Sequence, residues 1–190
     1  MKTLNELFYQ VILLNELSGN KSAALRFSDP DGASGRSGWS FGVCQFDTKH
    51  NGSAISCLVD CGFRDGEIKG IVNQTVDVKP FAARLIAHAS TIEKYDTEQL
   101  TYCLNNALNA ITSKGVMAYE PAALLCLADY VNQYGSIGPA FIEWMNQRDS
   151  DGITAAEIQE WKLNHTKYGR EHTKDCIRRY NNILKVLANA

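Results

Sequence analysis

Glu16 closes an apolar run near the start of the chain, and two more acidic residues, Asp29 and Asp31, follow shortly after it. Ser37, Gln45 and Asp47 come next in a stretch rich in glycine, serine and aspartate. Two carboxyl groups across a bond can do acid–base chemistry. One protonates a leaving oxygen, and the other activates a water or stabilises a developing cation, which is what glycoside cleavage requires. A carboxyl group at the C-terminal end of a helix meets the negative end of the helix dipole. Beside apolar surface it is also poorly solvated. Both effects raise its pKa, as a general acid working near neutral pH needs. The plain alternative for Glu16 is a solvated surface residue. Asp29 before Pro30 and Asp31 before Gly32 also read as ordinary turn residues.

The elements that must carry these groups follow from periodicity. Leu4, Leu7, Phe8, Val11, Ile12, Leu14 and Leu17 recur at three- and four-residue spacing and predict a helix over 4–17. Ser18-Gly19-Asn20 ends it. Residues 28–53 form a loop-and-hairpin region, with the alternation of Trp39 to Phe46 predicting a short strand. Its glycines would let backbone approach a ligand closely. The remainder is helical in pattern, with helices expected over 53–62, 64–73, 79–94, 97–114, 119–134, 137–147, 154–164 and 170–188. Asp149, Asp151 and Gly152 resemble part of a calcium loop, but the register puts Ile158 where a bidentate Glu should stand. Thr154 with Glu157 reads instead as a capping box. The fold class is therefore α+β, mostly α, with one small β-hairpin, in a single domain over 1–190.

Ser37-Gly38-Trp39-Ser40-Phe41-Gly42-Val43-Cys44-Gln45 resembles the Gly-x-x-Gly-x-x-Gln hairpin of goose-type lysozymes and lytic transglycosylases, with one extra residue between the glycines. Glu16, Asp31-Gly32 and Ser37-Gly38-x-x-x-Gly42 resemble more closely the chitosanase branch of the same lysozyme superfamily. The segment Ala123 to Gly138, with Tyr130-Val-Asn132-Gln-Tyr134-Gly135, is similar to the buried lysozyme helix whose end lines the cleft; a plain core helix capped by glycine is the alternative. The resemblance covers less than half of the chain. It implies a lysozyme-like fold with two lobes around a cleft. It also implies Glu16 as general acid, Asp31 as general base, Ser37 as the hydroxyl that holds the attacking water, and Asp29 as the alternative second carboxylate. Gln45, Tyr130, Asn132 and Tyr134 would contact substrate.

The implied activity is that of a muramidase cutting the β-1,4 glycan of bacterial peptidoglycan, with inversion. A chitosanase-like hydrolase and a lytic transglycosylase are the near alternatives. A non-catalytic glycan-binding or structural phage protein is the alternative of another class. The N-terminal apolar run reads as an amphipathic helix and not as a signal peptide. The expectation is then synthesis in the cytoplasm and action in the periplasm or cell wall after release, as for a phage endolysin or a delivered toxin.

The chain is 45% hydrophobic and 21% charged, with a net charge of -2, which fits a globular domain and argues against a nucleic-acid partner or a polybasic membrane anchor. No segment has the length of a membrane span. The expected partner is the glycan strand, met by a monomer. No cofactor or metal is expected. A zinc site from Cys44, His50, Cys57 and Cys61 has no standard spacing. The six cysteines read as reduced, mostly buried thiols, although Cys57 and Cys61 could bridge in an oxidising compartment. A cysteine enzyme built on Cys44 with His50 or His88 is a further rival.

Overall fold

The computed structural model describes residues 2–29, 32, 35–113, 115–118, 120–148 and 152–190. The chain is mostly helical with a small antiparallel β-hairpin. It divides into two compact units, 16–98 and 1–15 with 99–190. Both boundaries fall inside helices, α1 (Leu4–Leu17) and α5 (Ala89–Thr112).

Helix α1 begins in a reciprocal cap: the Glu6 amide donates to Thr3 Oγ1, and the Thr3 amide donates to the Glu6 carboxylate. Leu7, Phe8, Val11 and Ile12 form its buried stripe, as the spacing predicts. It stops where Ser18 and Gly19 enter the left-handed region at φ 52° and 82°.

In the unit 16–98, a 3-10 turn over Lys21–Leu25 leads to Ser28, which pairs with Ser40. Strands β1 (Ser40–Phe41) and β2 (Phe46–Asp47) are antiparallel, with Phe41 opposite Phe46. The single strand expected over 39–46 is thus folded back on itself, because Gly42 and Gln45 take positive φ and reverse the chain. Helices α2 (Gly52–Asp60), α3 (Asp65–Val72) and α4 (Ala82–Ala87) follow. A file of edge-to-face rings, Phe41–Phe27–Phe63–Phe81, packs this unit at centroid spacings of 5.5, 6.3 and 5.4 Å. The Arg84 guanidinium covers Phe63 and holds Glu67 with two hydrogen bonds.

The helices expected over 79–94 and 97–114 are partitioned differently. A 3-10 turn (Lys79–Phe81) precedes α4, the break falls at His88, and α5 runs through the gap expected at 95–96. In the fold, Asp96 turns inward to other amides and Thr97 Oγ1 bonds back to the Glu93 carbonyl, so neither caps a helix.

The other unit holds α6 (Pro121–Tyr134), α7 (Pro139–Asn146), α8 (Ala155–His165), α9 (Lys167–Glu171) and α10 (Thr173–Ala188). The helix expected over 170–188 is two, broken at His172. A parallel pair not foreseen from sequence, β3 (Met117–Ala118) with β4 (Gly152–Ile153), joins segments 35 residues apart. The Thr154–Glu157 capping box opens α8 as expected. Asp149 and Asp151 of the calcium-like loop lie outside the described residues.

At the centre of this unit the carboxylate of Asp129 is buried. Arg179 Nε donates to it at 2.9 Å, Asn15 Nδ2 at 3.0 Å, and Lys162 Nζ lies 3.8 Å away. Burial pushes this carboxyl group's pKa up, but Arg179, Lys162 and the Asn15 amide outweigh it and hold the value below the ordinary range. All six cysteines are buried and free.

Asp129→Ala removes the buried carboxylate that Arg179 and Lys162 face. It should cost about 3–5 kcal/mol, read as a lowered urea midpoint at pH 7. The contribution of Asp129 is present above pH 4 and is lost as pH falls through its depressed folded value. The gap between wild type and variant should therefore narrow in acid.

Candidate functional site

Glu16 stands half-buried in the last turn of α1, at the helix end the sequence assigned to it. It belongs to the same compact unit as Asp29, Ser37 and Gln45, whereas Tyr130, Asn132 and Tyr134 belong to the other. Asp31 lies outside the described residues.

Asp29 and Ser37 come together through two residues that the sequence did not single out. Gln74 Nε2 donates to Asp29 Oδ2 at 3.1 Å. Lys49 Nζ donates to Gln74 Oε1 at 2.7 Å and to the Ser37 carbonyl at 3.1 Å. Gln74 sits at φ 55° just past the end of α3, a backbone state that non-glycine residues seldom take. Its side chain bridges Asp29 to Lys49. Asp29 is partly buried, and its Oδ1 is buried with no hydrogen-bond partner among the described residues. The carboxyl group is thus held at one oxygen and left without a donor at the other, which keeps its capacity to accept a hydrogen bond.

The hairpin beside this loop is a rigid support. Asp47 Oδ1 accepts the amides of Gly38 and Lys49 at 2.9 and 2.8 Å, and Oδ2 meets His50 Nδ1 at 2.8 Å. Burial alone would raise the Asp47 pKa, but the bond to His50 and the two amides outweigh it and lower the value. The two glycines of the sequence motif are both explained by the protein itself. A Cβ on Gly38 would come within 2.8 Å of Thr48 Oγ1. One on Gly42, which sits at φ 76°, would meet Phe46 at 2.8 Å and Asp96 Oδ1 at 2.9 Å. Close packing within the hairpin, and not approach to a ligand, accounts for them.

Asp96 is the anchor of the turn. Its two oxygens accept the amides of Val43 and Cys44, each at 2.9 Å. Burial pushes its pKa up to about 6 against the opposing pull of those amides. Gln45, expected to touch substrate, is occupied internally: Ser28 Oγ donates to its Oε1 at 2.8 Å, and its Nε2 donates to the Gly42 carbonyl at 2.9 Å. The side chain ties the turn to residue 28.

The cysteine rival loses its geometry. Cys44 is buried with its sulfur 3.7 Å from the Asp96 carbonyl, His50 Nδ1 is turned to Asp47, and His88 Nδ1 is turned to the Arg84 carbonyl. Among the described residues, no group of three or more His, Cys, Asp or Glu side chains is placed to hold a metal ion, and none of the helices is long and apolar enough to cross a membrane.

In the other unit, Tyr130 and Tyr134 stack at 4.4 Å on the last turn of α6, which Gly135 caps. Tyr134 is 40% exposed. Tyr130 packs edge-on to Trp161 at 5.4 Å, and Asn132 is half-buried. Comparison with protein families, with curated proteins and with solved structures finds no match to this chain.

Two substitutions test the hairpin. Gly42→Ala should lower stability by about 1–3 kcal/mol through overlap with Phe46 and an unfavourable φ, read by thermal denaturation. For Asp96, a folded pKa near 6 lies above the ordinary carboxylate value of 3.8, so its stabilisation is full below pH 4 and declines as pH rises through 6. Wild type should lose on the order of 3 kcal/mol relative to Asp96→Asn between pH 4 and pH 7. Parallel urea midpoints for the two proteins across that range would remove Asp96 as the titrating anchor.

Proposed function

We propose that the chain is a glycoside hydrolase of lysozyme-like fold that cuts the β-1,4 glycan backbone of bacterial peptidoglycan. Glu16 is the general acid in this reading, and Asp29 is the second carboxyl group, ahead of Asp31. The observation that carries it is the state of Asp29: pinned at one oxygen by Gln74, without a donor at the buried other, and linked through Gln74 and Lys49 to the Ser37 backbone.

In the proposed reaction Glu16 gives its proton to the glycosidic oxygen as the C–O bond breaks. Asp29 takes a proton from the water that attacks the anomeric carbon from the opposite face, with inversion. In this reading the Ser37 hydroxyl holds that water. Release of such an enzyme into the wall by a phage or by a secretion device fits the same reading.

Digestion of purified sacculi, followed by mass spectrometry of the products, tests it. Glu16→Gln should clear sacculi at least about 100-fold more slowly than wild type. Asp29→Asn should lose a similar factor, while Asp31→Asn stays within about threefold of wild type. The opposite ranking moves the base to Asp31. Full activity in both, with products ending in an anhydro sugar, replaces hydrolysis by transglycosylation. Clearing at the wild-type rate by Glu16→Gln ends the assignment of the acid.

A further inference from the structure

The unit 1–15 with 99–190 holds an open pocket of about 510 Å³ lined by Trp144, Arg148, Glu157, Glu160, Trp161, Asn164 and His165. This volume is in the range of about 300–1,000 Å³ typical of small-ligand sites. Sequence spacing explains the lining. Glu157, Glu160, Trp161 and Asn164 recur at three and four residues along α8 and share one face. Trp144 and Arg148 are four apart at the end of α7 and just beyond it.

We infer that this pocket is a saccharide-binding site, separate from the Glu16–Asp29 region. Its sugar rings would be received on the Trp144 side, and its hydroxyls by Glu160, Asn164 and the Arg148–Glu157 pair. The choice of sugar rests on the proposed glycan substrate, and the class of ligand rests on the lining.

Three features argue for a polyhydroxylated ligand. The first is the pairing of aromatic and planar polar side chains. Indole faces accept the C–H faces of a sugar ring, while carboxylate, amide and guanidinium groups match its hydroxyls. The second is charge. The lining carries two carboxylates, Glu157 and Glu160, beside Arg148 and His165, and Arg148 is already paired to Glu157, so no unpaired guanidinium is offered to phosphate or another anion. The same charged rim disfavours a purely apolar guest. The third is preorganisation. Arg148 Nη2 is fixed at 2.6 Å to Glu157 Oε1 and at 3.1 Å to the Gly152 carbonyl, and Glu157 is itself held by the Thr154 cap. The guanidinium lies 4.8 Å over the Trp144 ring, which sets that indole in place.

The pocket also continues an aromatic file. Trp144 neighbours Trp161 at 6.2 Å, Trp161 neighbours Tyr130 at 5.4 Å, Tyr130 stacks on Tyr134 at 4.4 Å, and Tyr134 meets Tyr168 at 6.2 Å. The Trp161 Nε1 is buried with no hydrogen-bond partner among the described residues. The tyrosines that the sequence marked for substrate contact thus adjoin this pocket through Trp161.

The test uses the full chain carrying Glu16→Gln, so that ligand is not consumed, titrated with the tetramer of β-1,4-linked N-acetylglucosamine. Two of the three tryptophans, Trp144 and Trp161, line the pocket, so intrinsic fluorescence reports occupancy. A saturable change is expected. Adding Glu160→Ala or Asn164→Ala, both at exposed positions, should weaken binding at least about tenfold, and Trp144→Ala should abolish it. Millimolar inorganic phosphate should not compete. The absence of saturable binding, affinity unchanged within about twofold in both α8 variants, or competition by phosphate overturns the site. The outcome is separable from the hydrolase reading. Saturable binding by a protein that leaves sacculi intact would keep the site and remove the enzyme. Glu16-dependent clearing without binding here would do the reverse.

Discussion

Asp96 accepts the amides of Val43 and Cys44 from a buried position, and the hairpin depends on it. A two-residue strand on each side makes very little ladder, so the turn cannot be held by β1 and β2 alone. The turn amides would be buried without partners unless something inside the unit accepted them. A carboxylate does so with both oxygens. The cost is a desolvated acid whose pKa is pushed up to about 6. With the turn fixed, Gly42 is pressed against Phe46 and Asp96, Gln45 is tied to Ser28, and Asp47 gathers the amides of Gly38 and Lys49. The polar cluster around Asp29 then has a firm neighbour in Lys49.

The other unit meets its buried charge in a different way. Asp129 is buried between two cations and an asparagine amide, so its acid is held ionised where that of Asp96 is driven toward the neutral form. The difference follows from the partners. Neutral backbone donors stabilise a carboxylate less than a guanidinium in direct contact does. Asn15 also draws in α10: its side-chain oxygen accepts from Asn182, and its carbonyl accepts from Arg178. The residue before Glu16 is in this way one of the most constrained in α1.

The proposed chemistry and the proposed sugar site draw on different residues in different units. Glu16, Asp29, Gln74, Lys49 and Ser37 lie within 16–98, and Trp144, Trp161, Glu160 and Asn164 lie within 99–190.

Local physics was legible in the sequence. The 3.6-residue period set α1 at Leu4–Leu17, the Thr154–Glu157 pair marked the start of α8, and the cluster of glycines between 28 and 53 marked the hairpin. Tyr130 and Tyr134, four apart on a helix, had to share a face. What required the tertiary structure is whatever depends on partners distant in sequence. Asp96 carries no motif, and only the fold brings to it the two amides of the hairpin, more than fifty residues earlier. Gln45 looks like a ligand contact until Ser28 and Gly42 occupy both ends of its amide. Gln74 and Lys49 carry no motif, and only the fold sets them between Asp29 and Ser37. The pocket between α7 and α8 was hidden for the same reason. A sequence determines which groups a residue offers and, through local periodicity, the face it offers them on. Which groups answer it is decided by chain closure over long separations, and that information resides in packing.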